Sequence, residues 1–253
     1  MDGGVLYAEI AAAGVGVGAV FGLFGAGGSA FATPVLALLG VPGTLAVASP
    51  LPAMLPASIT GAWRSLREGR VDARIAGLAI GGGLPGTLLG SLASSTLDGA
   101  RLLTLSGLML LVVGVRVLTP DPVGHASKTA ARRGNSSLVL AIAFVVGLLT
   151  GLLANGGGFL LVPVFVVLFG LSTGEAAGTS MLAVGALTVP TLVTHSLLGH
   201  VDWPLAVAFA AGVVPGSLLG AHHAQRVPAA RARRAFGVLL VGFAVWFLVR
   251  QLG

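Results

Sequence analysis

The sequence GLFGAGG at residues 22–28, which returns as GLLANGG at residues 151–157, decides the fold of this chain. A proline follows each cluster at the same interval, as Pro34 and Pro163. Each glycine costs about 1 kcal/mol in a helix interior, so each cluster is expected to end one helix and precede another. We call residues 22–28 the first glycine break and residues 151–157 the second.

The composition places both breaks in a membrane. The 253 residues are 55% hydrophobic and 9% charged, with a mean hydropathy of +0.99, whereas soluble domains carry about 25% charged residues. Residues 10–63 and 134–174 contain no Asp, Glu, Lys or Arg. At about 1.5 Å per residue either run exceeds a hydrocarbon core of about 30 Å, so each folds back on itself. The apolar spacing is too dense for a β-barrel and predicts an all-α integral membrane protein.

Apolar runs between helix breakers predict ten helical segments. They are 5–24, 28–40, 44–63, 75–94, 102–118, 137–154, 157–170, 176–196, 204–222 and 235–252. The segments 28–40 and 157–170 would be only about 20 Å long and cannot cross alone. Both follow a glycine break, so we expect broken or re-entrant half-helices, buried in protein or lining a cavity.

The two halves of the chain repeat each other. The two breaks and the prolines that follow them match at an offset of 129, and Val71-Asp72 matches Val201-Asp202 at an offset of 130. The sequence therefore predicts a first repeat at 1–120, a basic linker at 121–136 and a second repeat at 137–253.

The basic residues indicate how the repeats are oriented. Twelve of the fourteen fall in three places: Arg64, Arg67, Arg70 and Arg74; Arg116, Lys128, Arg132 and Arg133; Arg226, Arg231, Arg233 and Arg234. Since Lys and Arg accumulate in cytoplasmic loops, these loops are placed inside and the loops at 95–101 and 197–203 outside. Residues 64–74 and 197–203 are repeat equivalents, so each half crosses an odd number of times and the repeats are inverted. Eight spans, four per half, would instead make them parallel.

The breaks are the main candidates for a binding site. The start of a helix offers unpaired N–H groups and about half a positive charge, which suits an anion. The predicted substrate-binding residues are Gly25, Gly27, Gly28, Ser49, Asn155, Gly156, Gly157, Thr179 and Ser180. Ser49 and Thr179 are repeat equivalents whose hydroxyls could also bond to backbone freed by a nearby break. The alternative is that the glycines only let half-helices pack together.

Two residues are candidates for proton coupling, Glu175 and His195. Ser172-Thr-Gly-Glu175 also has the pattern of a capping box, and an interfacial histidine can be a passive polar residue. No cysteine is present, and we expect no metal site and no cofactor. Neither a nucleophile–base pair nor a metal cluster is evident, which argues against an enzyme. The net charge of +6 is assigned to membrane orientation and not to nucleic acid.

Three features together resemble the TauE/SafE family of sulfite exporters over about residues 10–250. They are the paired breaks followed by proline, the sequence GHVDW at 199–203, and the pattern PGxxxG at 85–90 and 215–220. The resemblance implies a multi-pass protein of the bacterial inner membrane that moves sulfite or a related organosulfur anion, coupled to an ion gradient. The first half has Arg70-Val-Asp-Ala in place of His200-Val-Asp-Trp, so a role of that histidine would not be duplicated.

The sequence thus predicts a secondary transporter that exports a small anion by alternating access between its two repeats. A passive anion channel and an uptake permease for another small anion remain as alternatives. The expected partners are the lipid bilayer, a small anion and a coupling ion, H⁺ or Na⁺. A homodimer is left open.

Overall fold

The structure is a computed structural model and describes residues 3–24, 30–119, 136–154, 158–224 and 229–252. Regular structure within these ranges is helical. The α-helices are α1 (Gly3–Phe24), α2 (Ala32–Leu38), α3 (Gly43–Ala48), α4 (Leu51–Arg67), α5 (Ala73–Ser94), α6 (Gly99–Leu118), α7 (Ser136–Leu153), α8 (Gly158–Phe169), α9 (Thr173–Leu197), α10 (Trp203–Ala224) and α11 (Ala229–Leu252).

Eight stretches within the described ranges are long and apolar enough to cross a membrane, when α3 and α4 are taken together. The 7-residue α2 and the 12-residue α8 are about 10 and 18 Å long. Both fall short of a hydrocarbon core of about 30 Å. The prediction of an all-α membrane protein is confirmed, and short helices follow the two breaks. That these helices are re-entrant stays a prediction.

The predicted segment 44–63 differs from the structure in two ways. It is broken at Ser49-Pro50 into α3 and α4, because Pro50 has no N–H to donate to the preceding turn. The equivalent residue of the second half is Ser180, and α9 runs unbroken through it. In addition α4 continues to Arg67, since an arginine at a helix end can bury its stem and keep its charge in water.

The two halves exchange helices. The first-half helix α5 packs lengthwise on α7, and the second-half helix α10 packs on α1. A Cβ on Gly82 would collide with the backbone of Leu140, and one on Gly212 with the backbone of Ala11. These are one contact seen twice, because Gly82 and Gly212 are repeat equivalents, as are Ala11 and Leu140. Small residues four apart allow this close approach, so the packing repeats along with the sequence.

Equivalent helices of the two halves also pack on each other, in an antiparallel direction. In α4 and α9, a Cβ on Gly185 would lie 3.6 Å from Ser58 Cβ, and one on Gly178 would lie 2.7 Å from Ser65 Cβ. Among contacting residues, the number rises along α4 as it falls along α9, so the two helices are antiparallel. The same order holds for α6 and α11 in the pairs Gly107–Leu248, Gly114–Val241 and Leu118–Gly237. Inverted repeats require this order. Their opposite orientation in a membrane stays a prediction, which these contacts favour.

The contacts also fix the relative directions of the long helices. Gly220 lies beside Ala19 and Gly90 beside Leu148, so α1 is parallel to α10 and α7 is parallel to α5. Both α4 and α10 run against α9, since α4 packs antiparallel on it and a five-residue loop, 198–202, separates α10 from it. Hence α1 and α4 run the same way, and the chain recrosses the bundle between them without a described helix long enough to be a candidate span. The eight candidate spans therefore do not make the repeats parallel.

The apolar cores mix the two halves. One core joins α1, α2, α3, α4, α6, α10 and α11, a second joins α5, α7, α8 and α9, and a smaller third joins α3, α4, α6 and α7. Leu160, in the first turn of α8, packs against the two larger cores. The units held together by packing are therefore not the two sequence repeats, because α5 packs with the second repeat and α10 packs with the first.

Candidate functional site

Six residues of the two breaks that are predicted to bind an anion lie outside the described residues. This applies to Gly25, Gly27, Gly28, Asn155, Gly156 and Gly157. The structure does describe the helices that lead into them. Since α1 is parallel to α10 and α7 to α5, α1 and α7 run in opposite directions and end at opposite ends of the bundle. Each break therefore follows a helix that ends at its own end of the bundle.

One described residue of the second break has an unusual backbone conformation. Ala154 has φ of 47°, in the left-handed region that favours glycine, and side chains with a Cβ pay about 1–2 kcal/mol there. The equivalent residue of the first half is Gly25. Ala154 is 3% exposed and packs with Ala48, Leu51 and Leu102. The second break therefore leaves α7 through a strained residue beside the α3–α4 junction.

Two side chains from neighbouring helices hold the end of α7. The last four carbonyl groups of a helix have no partner within it, and Gly151 is one of these residues. His195 Nε2 lies 2.9 Å from the Gly151 carbonyl oxygen, and Ser91 Oγ donates to the same oxygen over 3.3 Å. Both His195 and Ser91 are fully buried. The carbonyl at the start of the second break is thus satisfied by α9 and α5.

His195 has a second partner, which a backbone motif at the end of α9 brings close. Gly199 has φ of 73°, and its N–H donates to the Ser196 carbonyl while the N–H of His200 donates to the His195 carbonyl. This is a Schellman motif. In this motif the side chain four residues before the left-handed glycine contacts the side chain just after it, and here these are His195 and His200. Their Nδ1 atoms are 3.2 Å apart and their ring centroids 5.3 Å apart.

The hydrogen bonds of this pair fix its tautomers. A carbonyl only accepts, so Nε2 of His195 carries the proton towards Gly151. In the neutral ring Nδ1 of His195 is then an acceptor, and Nδ1 of His200 donates to it. His200 lies in the loop after α9, where burial lowers its pKa. A chain of two donors therefore runs from this loop to the second break.

The hydroxyls of Ser49 and Thr179 link the two halves. Both residues are 0% exposed. The N–H of Asp202 donates to Ser49 Oγ over 3.1 Å, and the N–H of Asp72 donates to Thr179 Oγ1 over 3.0 Å. Each aspartate also caps its helix, by accepting from Leu205 or Ile75.

These two bonds show what the hydroxyls contact within the described residues. Each accepts from the aspartate just before α10 or α5, and their bonding to backbone of a break or to an anion stays a prediction. Since Asp202 and Asp72 lie in loops at opposite ends of the bundle, the structure does not bring Ser49 and Thr179 together. Their common role in the structure is to tie the start of one half's helix to the other half.

The remaining predicted side chains have local partners. Ser180 is 0% exposed, and its hydroxyl donates to the Ala177 carbonyl over 2.9 Å. Glu175 is exposed, and its carboxylate accepts from the N–H of Ser172 at 3.0 Å and from its hydroxyl at 2.7 Å. The capping box predicted at Ser172-Thr-Gly-Glu175 is therefore present at the start of α9. Within the described part of the chain no group of acids and histidines could hold a metal ion.

Sequence reasoning missed His200 as a partner of His195, and Ser91 as the second side chain on the Gly151 carbonyl. Ser91 carries no signal, because its contact with Gly151 joins residues 60 positions apart. For His200 the sequence did carry a signal. A glycine just after a helix that ends in an apolar run is typical of a Schellman motif, which brings together the residues four before and one after that glycine. Those residues are His195 and His200.

The comparisons with known proteins agree with this architecture. Residues 10–247 match the family model described as Sulfite exporter TauE/SafE. A probable membrane transporter protein of Xylella fastidiosa (strain 9a5c) is 34% identical over 93% of this chain and 92% of its own length. The probable membrane transporter protein YunE of Bacillus subtilis is 31% identical over 56% of this chain and 57% of its own. No solved structure matches the chain. With eight candidate membrane spans and a family match over nearly its whole length, the chain belongs to the TauE/SafE family of membrane transporters.

Proposed function

We propose that this protein is a secondary transporter that exports a small anion, sulfite or a related organosulfur compound, across a bacterial inner membrane by alternating access. The description of the matching family names sulfite export. The observation that carries the mechanism is the antiparallel packing of the equivalent helices α4 and α9. Two inverted halves can exchange conformations, and this exchange opens one site to either side in turn.

The anion site proposed is the backbone of the two breaks, with Gly25, Gly27 and Gly28 from one half and Asn155, Gly156 and Gly157 from the other. Within the described spans the basic residues lie near helix ends, which leaves backbone N–H groups as the donors available at depth. Each break starts from its own end of the bundle. Leu160, in the first turn of the short helix after the second break, packs against both of the larger cores, which supports a site between them.

Ser49, Thr179 and Ser180 have a supporting role in this proposal. The first two hydroxyls already accept a backbone N–H from the opposite half, and that of Ser180 donates within its own helix. They position the α3–α4 junction and the start of α9 against the neighbouring half. The moving units are the two larger cores, because α1 is locked to α10 and α5 to α7 by backbone contacts that a Cβ would not fit.

The test is flux into proteoliposomes with sulfite, sulfoacetate or taurine under imposed pH and sodium gradients. We expect anion movement to follow one of the two gradients and to saturate. Gly27→Leu and Gly156→Leu should abolish it, whereas Gly16→Leu should not, since a side chain at Gly16 meets nothing within 4 Å. Flux that ignores both gradients would favour a passive channel, and gradient-driven accumulation against the export direction would favour an uptake permease. Unchanged flux in both break variants would remove the site.

A further inference from the structure

The end of α9 and the end of α4 carry the same motif with different side chains. At the end of α4, Gly69 has φ of 66°, and the N–H of Arg70 donates to the Ser65 carbonyl over 2.9 Å. His195 and His200 occupy the places of Ser65 and Arg70, at the end of the bundle predicted to face outside. The duplicated backbone therefore presents a titratable pair at one end only.

The geometry of the pair allows one additional proton. In the neutral pair a single hydrogen lies between the two Nδ1 atoms, 3.2 Å apart. A proton added to Nε2 of His200 leaves that hydrogen in place and makes the bond charge-assisted. A second proton would have to enter on Nδ1 of His195, where it would point at another N–H. The pair can therefore hold one proton and not two.

The proton cannot travel further inward along this chain. The next bond after His195 ends on the carbonyl oxygen of Gly151, which accepts a hydrogen bond but passes no proton on. Proton binding can then act on transport only by changing how firmly α9 holds the end of α7. That end leads through Ala154 into the second break.

The charged groups around the pair are few. Among described residues in the outer loops and the outer parts of the helices they are Glu9, Asp98, Arg101, Asp202 and Arg250. Asp202 is engaged as the cap of α10, and Asp98 caps α6 and pairs with Arg101 over 3.4 Å. The described parts of α4, α5, α7 and α8 carry no charged residue at this end. Burial lowers the pKa of His200, so a proton taken up there is held weakly and can be released.

We propose that His195 and His200 together form a proton-binding site of the transport cycle, in which one proton taken up from the outer side fastens α9 to the end of α7 and keeps the outer end closed. This deepens the proposed function and rests on it. His200 receives the proton on Nε2, and His195 is a positioning residue that joins it to the Gly151 carbonyl.

The first test measures the proton directly and needs no substrate. Protein with ¹⁵N-labelled histidine in lipid bilayers is titrated by NMR, with His195→Gln and His200→Gln used to assign the signals. Of the two assigned rings, we expect only His200 to become an imidazolium, while His195 keeps the neutral tautomer with its proton on Nε2. Protonation of both rings of the pair in the same pH range, or of neither, would overturn the proposal.

The second test measures coupling as the ratio of pH-driven sulfite accumulation to sulfite counterflow at equal pH. Gln at position 200 keeps an N–H donor but takes up no proton, so His200→Gln should lower this ratio at least tenfold. Gly199→Ala should lower it too, because a left-handed alanine strains the motif that joins the rings. Gly69→Ala is the matched control, with the same backbone strain at the end without histidines, and should keep the wild-type ratio.

The outcomes separate this proposal from the proposed function. A wild-type ratio in His200→Gln, or an equal loss in both glycine variants, overturns the proton site while sulfite transport stands. If wild-type protein moves no anion but the titration finds a single proton on the pair, the proposed substrate fails, and the proton site survives. Absence of both would refute the two together.

Discussion

A disulfide between Ser58→Cys and Gly185→Cys would test the direction of the two equivalent helices α4 and α9. A Cβ on Gly185 would lie 3.6 Å from Ser58 Cβ, close to the mean Cβ separation of about 3.8 Å in disulfides. The bond would close a loop of more than 100 residues, for which the chain-entropy model gives about 5 kcal/mol. Insertion in a membrane already constrains the denatured chain, so this value is an upper bound.

The assay is simple because the chain contains no cysteine. After mild oxidation in membranes, the protein is unfolded in SDS and treated with a maleimide polymer that adds to free thiols. We expect the double variant to escape labelling until it is reduced, and to be labelled fully afterwards. Each single variant serves as a control and should be labelled throughout.

A second pair of cysteines supplies the result that would refute the reasoning. If α4 and α9 crossed at the same point but ran parallel, Gly61 would lie beside Thr188; in the antiparallel order Gly61 lies beside Met181. Cross-linking of Gly61→Cys with Thr188→Cys, without cross-linking of the first pair, would establish parallel helices and remove the basis for inverted repeats. If the link forms as expected, it should also arrest alternating access, and reduction should restore anion flux.

Three further predictions concern stability, measured by thermal unfolding in detergent. Gly86→Ala should destabilise by about 1–3 kcal/mol, since its Cβ would lie 2.9 Å from Leu148 N. Gly77→Ala, in open space, should stabilise by up to about 1 kcal/mol, and equal melting of the two variants would contradict the α5–α7 packing. Ala154→Gly should stabilise by about 1 kcal/mol by relieving the left-handed backbone; a loss of stability would show that the alanine methyl contributes more than its strain. Burial lowers the pKa of His200 from its usual value of 6.5, because the charged ring loses more solvation than its stronger bond to His195 returns. The folded state is therefore most stable above about pH 6.5 and loses stability as the pH falls and His200 is protonated. Acidification should therefore lower the melting temperature more in wild-type protein than in His200→Gln, and identical pH profiles would speak against this role.

Local features of the fold could be predicted because the residues that cause them are neighbours in the chain. The capping box at Glu175 needs only residues 172–175. The short helices α2 and α8 follow from the glycine breaks before them. The break at Pro50 was not predicted, although its cause, a missing N–H, is equally local. The duplication is visible as glycines and prolines in one register.

The candidate site could be predicted only in part. Glycine clusters indicated where helices stop, but not that α1 and α7 stop at opposite ends of the bundle. The hydroxyl of Ser49 was expected to serve a break or an anion, whereas its partner is the N–H of Asp202, 153 residues away. The proton candidate His195 was recognised without its partners, the His200 ring and the Gly151 carbonyl.

The sequence by itself determined that this is a helical membrane protein, that it is built twice, and where its helices are interrupted, since hydropathy and backbone preference act within a few residues. Only the tertiary structure decided that the halves exchange helices and that α4 and α9 pack antiparallel. The physical reason is that lipid is as apolar as a leucine side chain, so hydrophobicity does not tell one helix face from another. Partners are then chosen by the fit of small residues such as Gly82 and Gly212 and by hydrogen bonds between distant residues, and neither leaves an ordered pattern along the chain.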